Sequence, residues 1–585
     1  MTPQPPIPQA HSPQARTPRV VVVGHGMVGS RFVEDLLQRR GTAPLAVTVL
    51  GAEGYEPYNR VLLSDVVAGR ADVARITLAS ARDPRVAVHA GVGAVGVDRT
   101  SRCVLADDGT AHPYDVLVLA TGSAARIPDL PGLDPLPAGV HALRTLDDAR
   151  EIVAATLTAT RAVVVGGGVL GVEAAAGLAA RGLAVSLVHG ATTPMDRQLA
   201  AGAGEVLAAQ LARAGVDVRT GARPSEVLVH DGHVHGLRLD GHTRTPGEVV
   251  EAQLVVLACG TVPEVALADA AGLAVDHGVV VGHDLASPDD PTIHAIGDCA
   301  QPPGGSQGLV AQGWDQSRRL AESLAEGFAR DDRVDARGRS GPSPSPGDTT
   351  GPTVHLRLPG GSDRPSMAVR LGTALASRSP GRGGTGPTTR GTDVVKVKGL
   401  DAVAMGVCGT RRTPDPASRT VRLDDPDAGR WVEVVVADGV LVGATCVGDP
   451  RIAADLTAAY TRRTPVPADP AHLLTATVMP TAAPASSPTT MPDATTVCRC
   501  NGVSKGDLVA CWHEGGARSV EDVARATRAT TGCGGCTEAV CGIVDWLREA
   551  SPEQGTEFSR ETDRAGEKSI TAPKPRPARA ETVAL

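Results

Sequence analysis

Aromatic residues are nearly missing from this chain: 585 residues hold four Trp, four Tyr and three Phe. Its cores must therefore be packed from Val, Leu and Ala. A long basic run is missing too, and the net charge is -8, which argues against nucleic acid as a main partner. No apolar run exceeds the length of a strand; the longest, "RVVVVGHG" and "RAVVVGGG", are too short to span a membrane. The N-terminus lacks the apolar centre of a signal peptide, and residues 1–18 read as a disordered tail. Eleven cysteines without a secretion signal argue against a disulfide scaffold, and a reducing, cytoplasmic setting is expected. A chain this long exceeds one core, so three to five domains are expected.

What is present begins with a strand of valines running into Gly24, Gly26 and Gly29, spaced G-x-G-x-x-G, with Met27 opening the helix that follows. The first glycine permits a tight turn, the second lets backbone approach a pyrophosphate, and the third lets helix and strand pack closely. The helix N-terminus then offers unpaired N–H groups to phosphate. Glu53 ends the next strand, where a carboxylate accepts bonds from an adenosine ribose. The pattern repeats at Gly166, Gly168 and Gly171. There the second strand ends at His189, not at an acid. A neutral or positive group tolerates a 2′-phosphate, and Arg197 could assist, so NADH and NADPH both stay open. His189 as a plain strand-end cap is the competing reading. Glu173, one turn into that helix, either helps place a nicotinamide or favours the helix dipole.

Near the C-terminus Cys498 and Cys500 form C-x-C, and after 32 residues Cys533 and Cys536 form C-x-x-C. Four thiolates grouped this way hold a soft metal centre. On the residues alone, [2Fe-2S], [4Fe-4S] and zinc all remain. Cys511 and Cys541 fall outside the pattern and read as buried apolar thiols.

Two fingerprints joined by "LATGS" and "AIGDCA" resemble the pyridine nucleotide–disulfide oxidoreductase family. The resemblance implies FAD at the first site, with Gly24, Gly26, Met27, Gly29, Glu53, Arg60, Thr121, Gly122, Gly297 and Asp298 around it. It implies NAD(P)H at the second, with Gly166, Gly168, Gly171, Glu173, His189 and Gly260. No C-x-x-C or C-x4-C pair occurs in residues 1–330, and Ser64 stands where related coenzyme A disulfide reductases use a cysteine. That argues against thiol chemistry and for outward electron delivery, with no catalytic acid, base or nucleophile needed. The cysteine pattern resembles the BFD-like [2Fe-2S] domain, which implies Cys498, Cys500, Cys533 and Cys536 as ligands of a [2Fe-2S] cluster.

The expected fold class is α/β: two Rossmann-like FAD/NAD(P)-binding domains, a small α/β reductase C-terminal domain and a small helical BFD-like domain. The expected boundaries are 19–150 with 251–330 for FAD, 151–250 for NAD(P), and a linker at 331–352. The small domain is expected at 353–460 with an insertion at 359–392, followed by a linker at 461–496, the cluster domain at 497–549 and a disordered tail at 550–585. The order of modules resembles assimilatory nitrate reductase electron-transfer subunits and the N-terminal part of NAD(P)H nitrite reductase large subunits. On that plan, with no cysteine cluster after Cys541, terminal reduction falls to another protein, a molybdenum nitrate reductase. The alternatives are a ferredoxin, rubredoxin or oxygenase as acceptor, or a non-enzymatic iron-handling or redox-sensing protein.

Overall fold

The computed structural model describes residues 17–338 (apart from 79–80, 243–244, 246 and 307), 394–409, 416–475, 488–498, 503–530 and 536–550. The chain divides into two compact units, at residue 479.

The first unit opens with β1 (Arg19–Val23), α1 (Met27–Arg40), β2 (Ala46–Gly51), α2 (Leu63–Val67), β3 (Val86–Ala90) and β4 (Val116–Leu119). It continues through β5 (Val140–Ala142), β6 (Arg161–Val165), α3 (Val169–Ala180), β7 (Ala184–His189), α4 (Ala201–Arg213), β8 (Val216–Thr220) and β9 (Leu254–Leu257). Then come β10 (Ala286–Ser287), β11 (Asp290–Ala295) and the long helix α5 (Val310–Gly338).

Two sheets follow from the two valine runs. β1 and β6 are each buried along four consecutive residues, as central parallel strands covered on both faces must be. The first sheet has the order β10-β11-β4-β1-β2-β3, parallel except for the edge pair β10-β11. The second has the order β8-β7-β6-β9-β5 and is parallel throughout. In each, the strand order reverses beside the glycine turn, which opens a crevice at the carboxyl ends of the central strands. The second sheet takes β5 and β9 from outside the 151–250 segment. Both are short and apolar, and strands of that kind carry no local mark of which sheet they will join.

α5 packs along α1, where buried Arg40 pairs with Asp332 at 3.0 Å and Ser317 donates to Asp35 at 3.1 Å. The helix runs on to Gly338, through the first residues of the stretch whose composition reads as a linker. The first residues expected of the small domain, 353–358, and the insertion expected at 359–392 lie outside the described residues.

The small domain is an antiparallel sheet built from β12 (Val395–Val397), β13 (Ala402–Gly406), β14 (Arg419–Asp425), β15 (Arg430–Ala437) and β16 (Val440–Val447), covered by α6 (Pro450–Arg462). Its order is β12-β13-β16-β15-β14. Asp449 caps α6 by accepting the N–H groups of Arg451 and Ile452, and Pro450 fills the first turn, where no N–H is needed. Its core reaches Leu474. Val395, Val397, Ala402 and Trp431 join the core beneath the second sheet. The small domain is therefore not packed as an independent body.

Among the described residues, the second unit holds a short hairpin, β17 (Thr496–Cys498) with β18 (Val503–Ser504), and three helices: α7 (Lys505–His513), α8 (Val520–Thr527) and α9 (Thr537–Ala550). Ser504 and Asp507 form a capping box on α7, and Ser519 caps α8. Leu508, Trp512, Val523, Val540 and Val544 close its core. Among the described residues, no helix is long and apolar enough to cross a membrane.

Candidate functional site

At the first fingerprint Gly24 has φ +113°, and a Cβ there would overlap the carbonyl oxygen of Ala120. Gly29 likewise leaves no room for a Cβ against Gly24. Gly26 is the opposite: nothing lies within 4 Å of the place a Cβ would take. The turn is closed against its own protein and open toward the crevice, the shape an incoming pyrophosphate requires. Met27 starts α1 and is buried. A cleft beside the turn is lined by His25, Gly26, Ala52, Glu53, Glu56 and Arg60.

Glu53 lies in that cleft, as its position after β2 requires. Its Oε1 pairs with Arg60, and its Oε2 accepts from the Tyr58 hydroxyl at 2.7 Å. Tyr58 also accepts the Leu146 N–H at 2.9 Å, and burial pushes its phenol well above the ordinary value. Arg60 stacks over the Tyr58 ring at 4.9 Å and donates to the Arg144 carbonyl. Arg60 is thus brought to Glu53 itself, a pairing the separate motifs do not announce.

Thr121 and Gly122 follow β4, and Gly297 and Asp298 follow β11, so the sheet sets the two turns side by side. Arg144 joins them: its guanidinium donates to the Ser123 carbonyl at 2.8 Å, the Ser123 hydroxyl at 2.7 Å and Asp298 at 2.9 Å. Gly297 donates its N–H to Gln316 of α5 at 2.7 Å. Arg144 lies in no motif, and Ser123, though it closes "LATGS", was not itself singled out; nor was Gln316. Their roles come from contacts across 19 to 175 residues of chain.

The second fingerprint repeats the first. Gly166 has φ +112° and faces the Ala258 carbonyl, Gly171 is pressed on Gly166, and Gly168 is open. His189 Nδ1 accepts the Gly167 N–H at 3.1 Å, and Nε2 meets Asp196 at 3.0 Å. Both ring nitrogens are committed within the protein, so His189 braces the glycine turn. The strand end also gains an acid, Asp196, from seven residues downstream. Arg197 turns its carbonyl to Gly409 of the small domain. Arg223, which no motif marked, packs on Gly190 and lines a cavity of about 400 Å³ with Thr192, Asp240 and His242. Gly260, at φ +97°, accepts the Arg126 N–H at 2.9 Å. The next residues, Thr261–Pro263, pair antiparallel with Ser123–Ala125, which ties the two crevices together.

Glu173 is buried in the first turns of α3 and accepts from Ser64 Oγ at 2.6 Å. It also meets Lys398 of the small domain, a residue the sequence did not single out. Burial lifts the Cys259 thiol to about 11 and raises that of Cys299. A thiol raised by burial in this way is a poor nucleophile.

In the second unit Cys498 and Cys536 are buried. Cys500 and Cys533 lie outside the described residues. Thr530, held at φ +70°, donates its N–H to Cys536 Sγ at 3.2 Å. A β-branched residue rarely takes that backbone, and here it aims a donor at sulfur. Such N–H···S bonds suit a thiolate ligand of an iron–sulfur centre, so the described donors fit the cluster. Cys511 is buried and its thiol raised, as expected of an apolar thiol; Cys541 is partly buried.

Two family profiles match this chain: pyridine nucleotide-disulphide oxidoreductase over residues 18–319, and the BFD-like [2Fe-2S] binding domain over 496–546. Nitrite reductase [NAD(P)H] of Bacillus subtilis (strain 168) is 29% identical over 529 residues, covering 90% of this chain and 57% of that protein. The assimilatory nitrate reductase electron transfer subunit of the same organism is 27% identical, covering 90% and 60%. The chain thus spans about three-fifths of the length of these relatives. Rhodocoxin reductase of Rhodococcus erythropolis is 34% identical over 315 residues, covering 52% and 71%. The solved putidaredoxin reductase–putidaredoxin complex shares the fold, with a TM-score of 0.58 at 23% identity over 78% of this chain and 96% of that one. The chain belongs to the pyridine nucleotide-disulphide oxidoreductase family: it is an oxidoreductase with an FAD/NAD(P)H-binding domain and a BFD-like [2Fe-2S]-binding domain.

Proposed function

We propose that this protein is an NAD(P)H-dependent reductase that delivers electrons to a small redox protein of the ferredoxin or rubredoxin class. When bound, FAD takes hydride from NAD(P)H and releases electrons one at a time, and a [2Fe-2S] centre carries them singly. The residues supply binding and orientation. The open faces of Gly26 and Gly168 admit the two pyrophosphates. Glu53, held by Arg60 and Tyr58, presents its remaining lone pairs to a ribose. Asp298, fixed by Arg144 and Ser123, bounds the first crevice beside Thr121, Gly122 and Gly297. Asp196 and Arg223 flank the adenosine end of the second site, beyond His189, and Gly260 borders its nicotinamide end. Cys498, Cys500, Cys533 and Cys536 hold the cluster. We place the protein in the cytoplasm, because four thiolate ligands need a reducing compartment.

The observation that carries this reading is the strand pair Ser123–Ala125 with Thr261–Pro263, which joins the two crevices directly. Burial raises the thiols beside it, Cys259 and Cys299, above their ordinary value. Relatives named rhodocoxin reductase and rubredoxin-NAD(+) reductase support the acceptor class. Anaerobic mixing with NADH or NADPH should bleach the flavin rapidly, followed by reduction of added ferredoxin or rubredoxin. Slow bleaching by both nucleotides would overturn the reading in favour of a non-enzymatic cluster protein.

A second reading has its own support. The nitrite and nitrate reductase relatives match across 90% of this chain, against 52% for rhodocoxin reductase, so the likeness includes the small domain and the cluster module. On this reading the acceptor is a molybdenum nitrate reductase catalytic protein. Mixing the two with NAD(P)H and nitrate would then yield nitrite, and no nitrite would remove this reading.

A further inference from the structure

Where α2, α3 and the small domain meet, a polar cluster lies outside the glycine cradles. Ser64 is wholly buried and Glu173 is 3% exposed. Lys398, in the turn after β12, enters between them. Its backbone N–H donates to Glu173 Oε1 at 2.8 Å. Its Nζ donates to Glu173 Oε2 at 3.1 Å, to Ser64 Oγ at 2.8 Å and to the Val61 carbonyl. Ser64 Oγ passes its own hydrogen to Glu173 Oε2. Both oxygens of the carboxylate and all three hydrogens of the ammonium are therefore satisfied. Asp65 lies 3.7 Å from Nζ and is held by Arg70 at 2.8 Å. The turn itself sits on that pair: Gly399, at φ +76°, has room for a Cβ only 3.3 Å from Arg70.

The three parties are far apart in the chain. Ser64 follows the Glu53–Arg60 corner of the first crevice. Glu173 follows the last glycine of the second crevice by two residues. Lys398 comes from the small domain. A buried carboxylate keeps its place only while its donors remain, so removing Lys398 loosens Glu173, and with it the seat of α3 on α2.

We propose that Lys398 is a positioning residue of the reductase site: by locking Glu173 to Ser64 it sets the approach of the two bound nucleotides. The proposal rests on the nucleotide-reductase reading above. Hydride transfer is sensitive to sub-ångström placement, so the lock bears on the transfer rate more than on nucleotide affinity.

The test uses the full chain with its cofactors and the variants K398M, K398R, E173Q, E173Q/K398M and E173Q/K398R. K398M should slow flavin reduction at saturating nucleotide by about tenfold or more, with half-saturation unchanged within about twofold. K398R should recover part of the rate. In the E173Q background K398M should add under about twofold, since Lys398 acts through Glu173. A merely structural role would lower the unfolding temperature without this split or this non-additivity. In protein stripped of flavin, K398M should speed hydrogen exchange in residues 61–68 and 169–175 but not in 19–30. An unchanged limiting rate in K398M, or additive losses in the double variant, overturns the proposal. Should K398M fail to hold flavin, K398R and E173Q/K398R make the same comparison. Wild-type protein that neither nucleotide reduces would overturn the underlying reading and this proposal together. Wild-type protein that is reduced no faster than K398M overturns the proposal alone.

Discussion

Gly24 and Gly26 stand two residues apart and meet different demands. Gly24 is needed by the fold, because its φ of +113° and the Ala120 carbonyl leave no place for a side chain. Gly26 has an extended backbone that any residue adopts and open space before it. Gly24→Ala should therefore destabilise the protein by roughly 1–3 kcal/mol or more. Gly26→Val should leave thermal unfolding of the flavin-free protein within about 0.5 kcal/mol and abolish flavin retention, read from the visible spectrum. Equal melting losses in both would refute the distinction. Two thiols give a second test at this scale. Burial lifts Cys259 to about 11 and Cys446 to about 12. Folded values above the unfolded thiol value of about 8.5 mean that their contribution to stability is complete below that pH. It is lost as pH rises from there through about 11 and 12, because the unfolded chain releases these protons first. Native protein at pH 8 should leave both thiols unalkylated by iodoacetamide, and mass spectrometry would detect the contrary.

Between elements, the small domain is seated by shape. Trp431 of β15 is 3% exposed and fills the hollow at Gly202 of α4, where any Cβ would overlap the ring. Arg422 covers the same indole at 4.8 Å. Trp431→Ala removes the largest side chain of this contact and should cost roughly 3–5 kcal/mol by denaturant unfolding. A loss below about 1 kcal/mol would show that α4 and β15 separate easily. "VVKVKGLDAVAMG" and "RWVEVVVADGVLVGATCV" form the hairpins β12-β13 and β15-β16, each with valine-containing runs on both sides of a glycine-containing turn. The seat of β15 on α4 was not readable, since a glycine inside a helix looks the same whether it meets a tryptophan or water.

At the scale of the whole molecule, the two halves of the electron route should separate chemically. Cys498→Ser or Cys536→Ser should remove the iron, measured as iron per chain, while NAD(P)H still bleaches the flavin at the wild-type rate. Loss of both together would mean that the cluster domain supports the nucleotide crevices. What made the cluster and the fingerprints legible is that their parts are local: glycines two and three residues apart, and cysteine pairs two or three residues apart, must act together wherever the chain goes. The site around Glu173 shows the opposite. Lys396 and Lys398 lie in one short strand and turn, "VKVKG", yet Lys396 is exposed and Lys398 closes a buried cluster. No pattern within that segment separates them.

The sequence by itself determined the two glycine turns, the presence of a BFD-like [2Fe-2S] domain and the α/β class, because backbone geometry and metal coordination impose fixed residue types at fixed short spacings. Only the tertiary structure decided which sheet received β5 and β9, that Arg144 would bind Asp298, that Asp196 would reach His189, and that a lysine 225 residues downstream would meet Glu173. Those contacts arise where separate segments bury charge against each other, and burial is a property of the packed chain, not of any stretch within it.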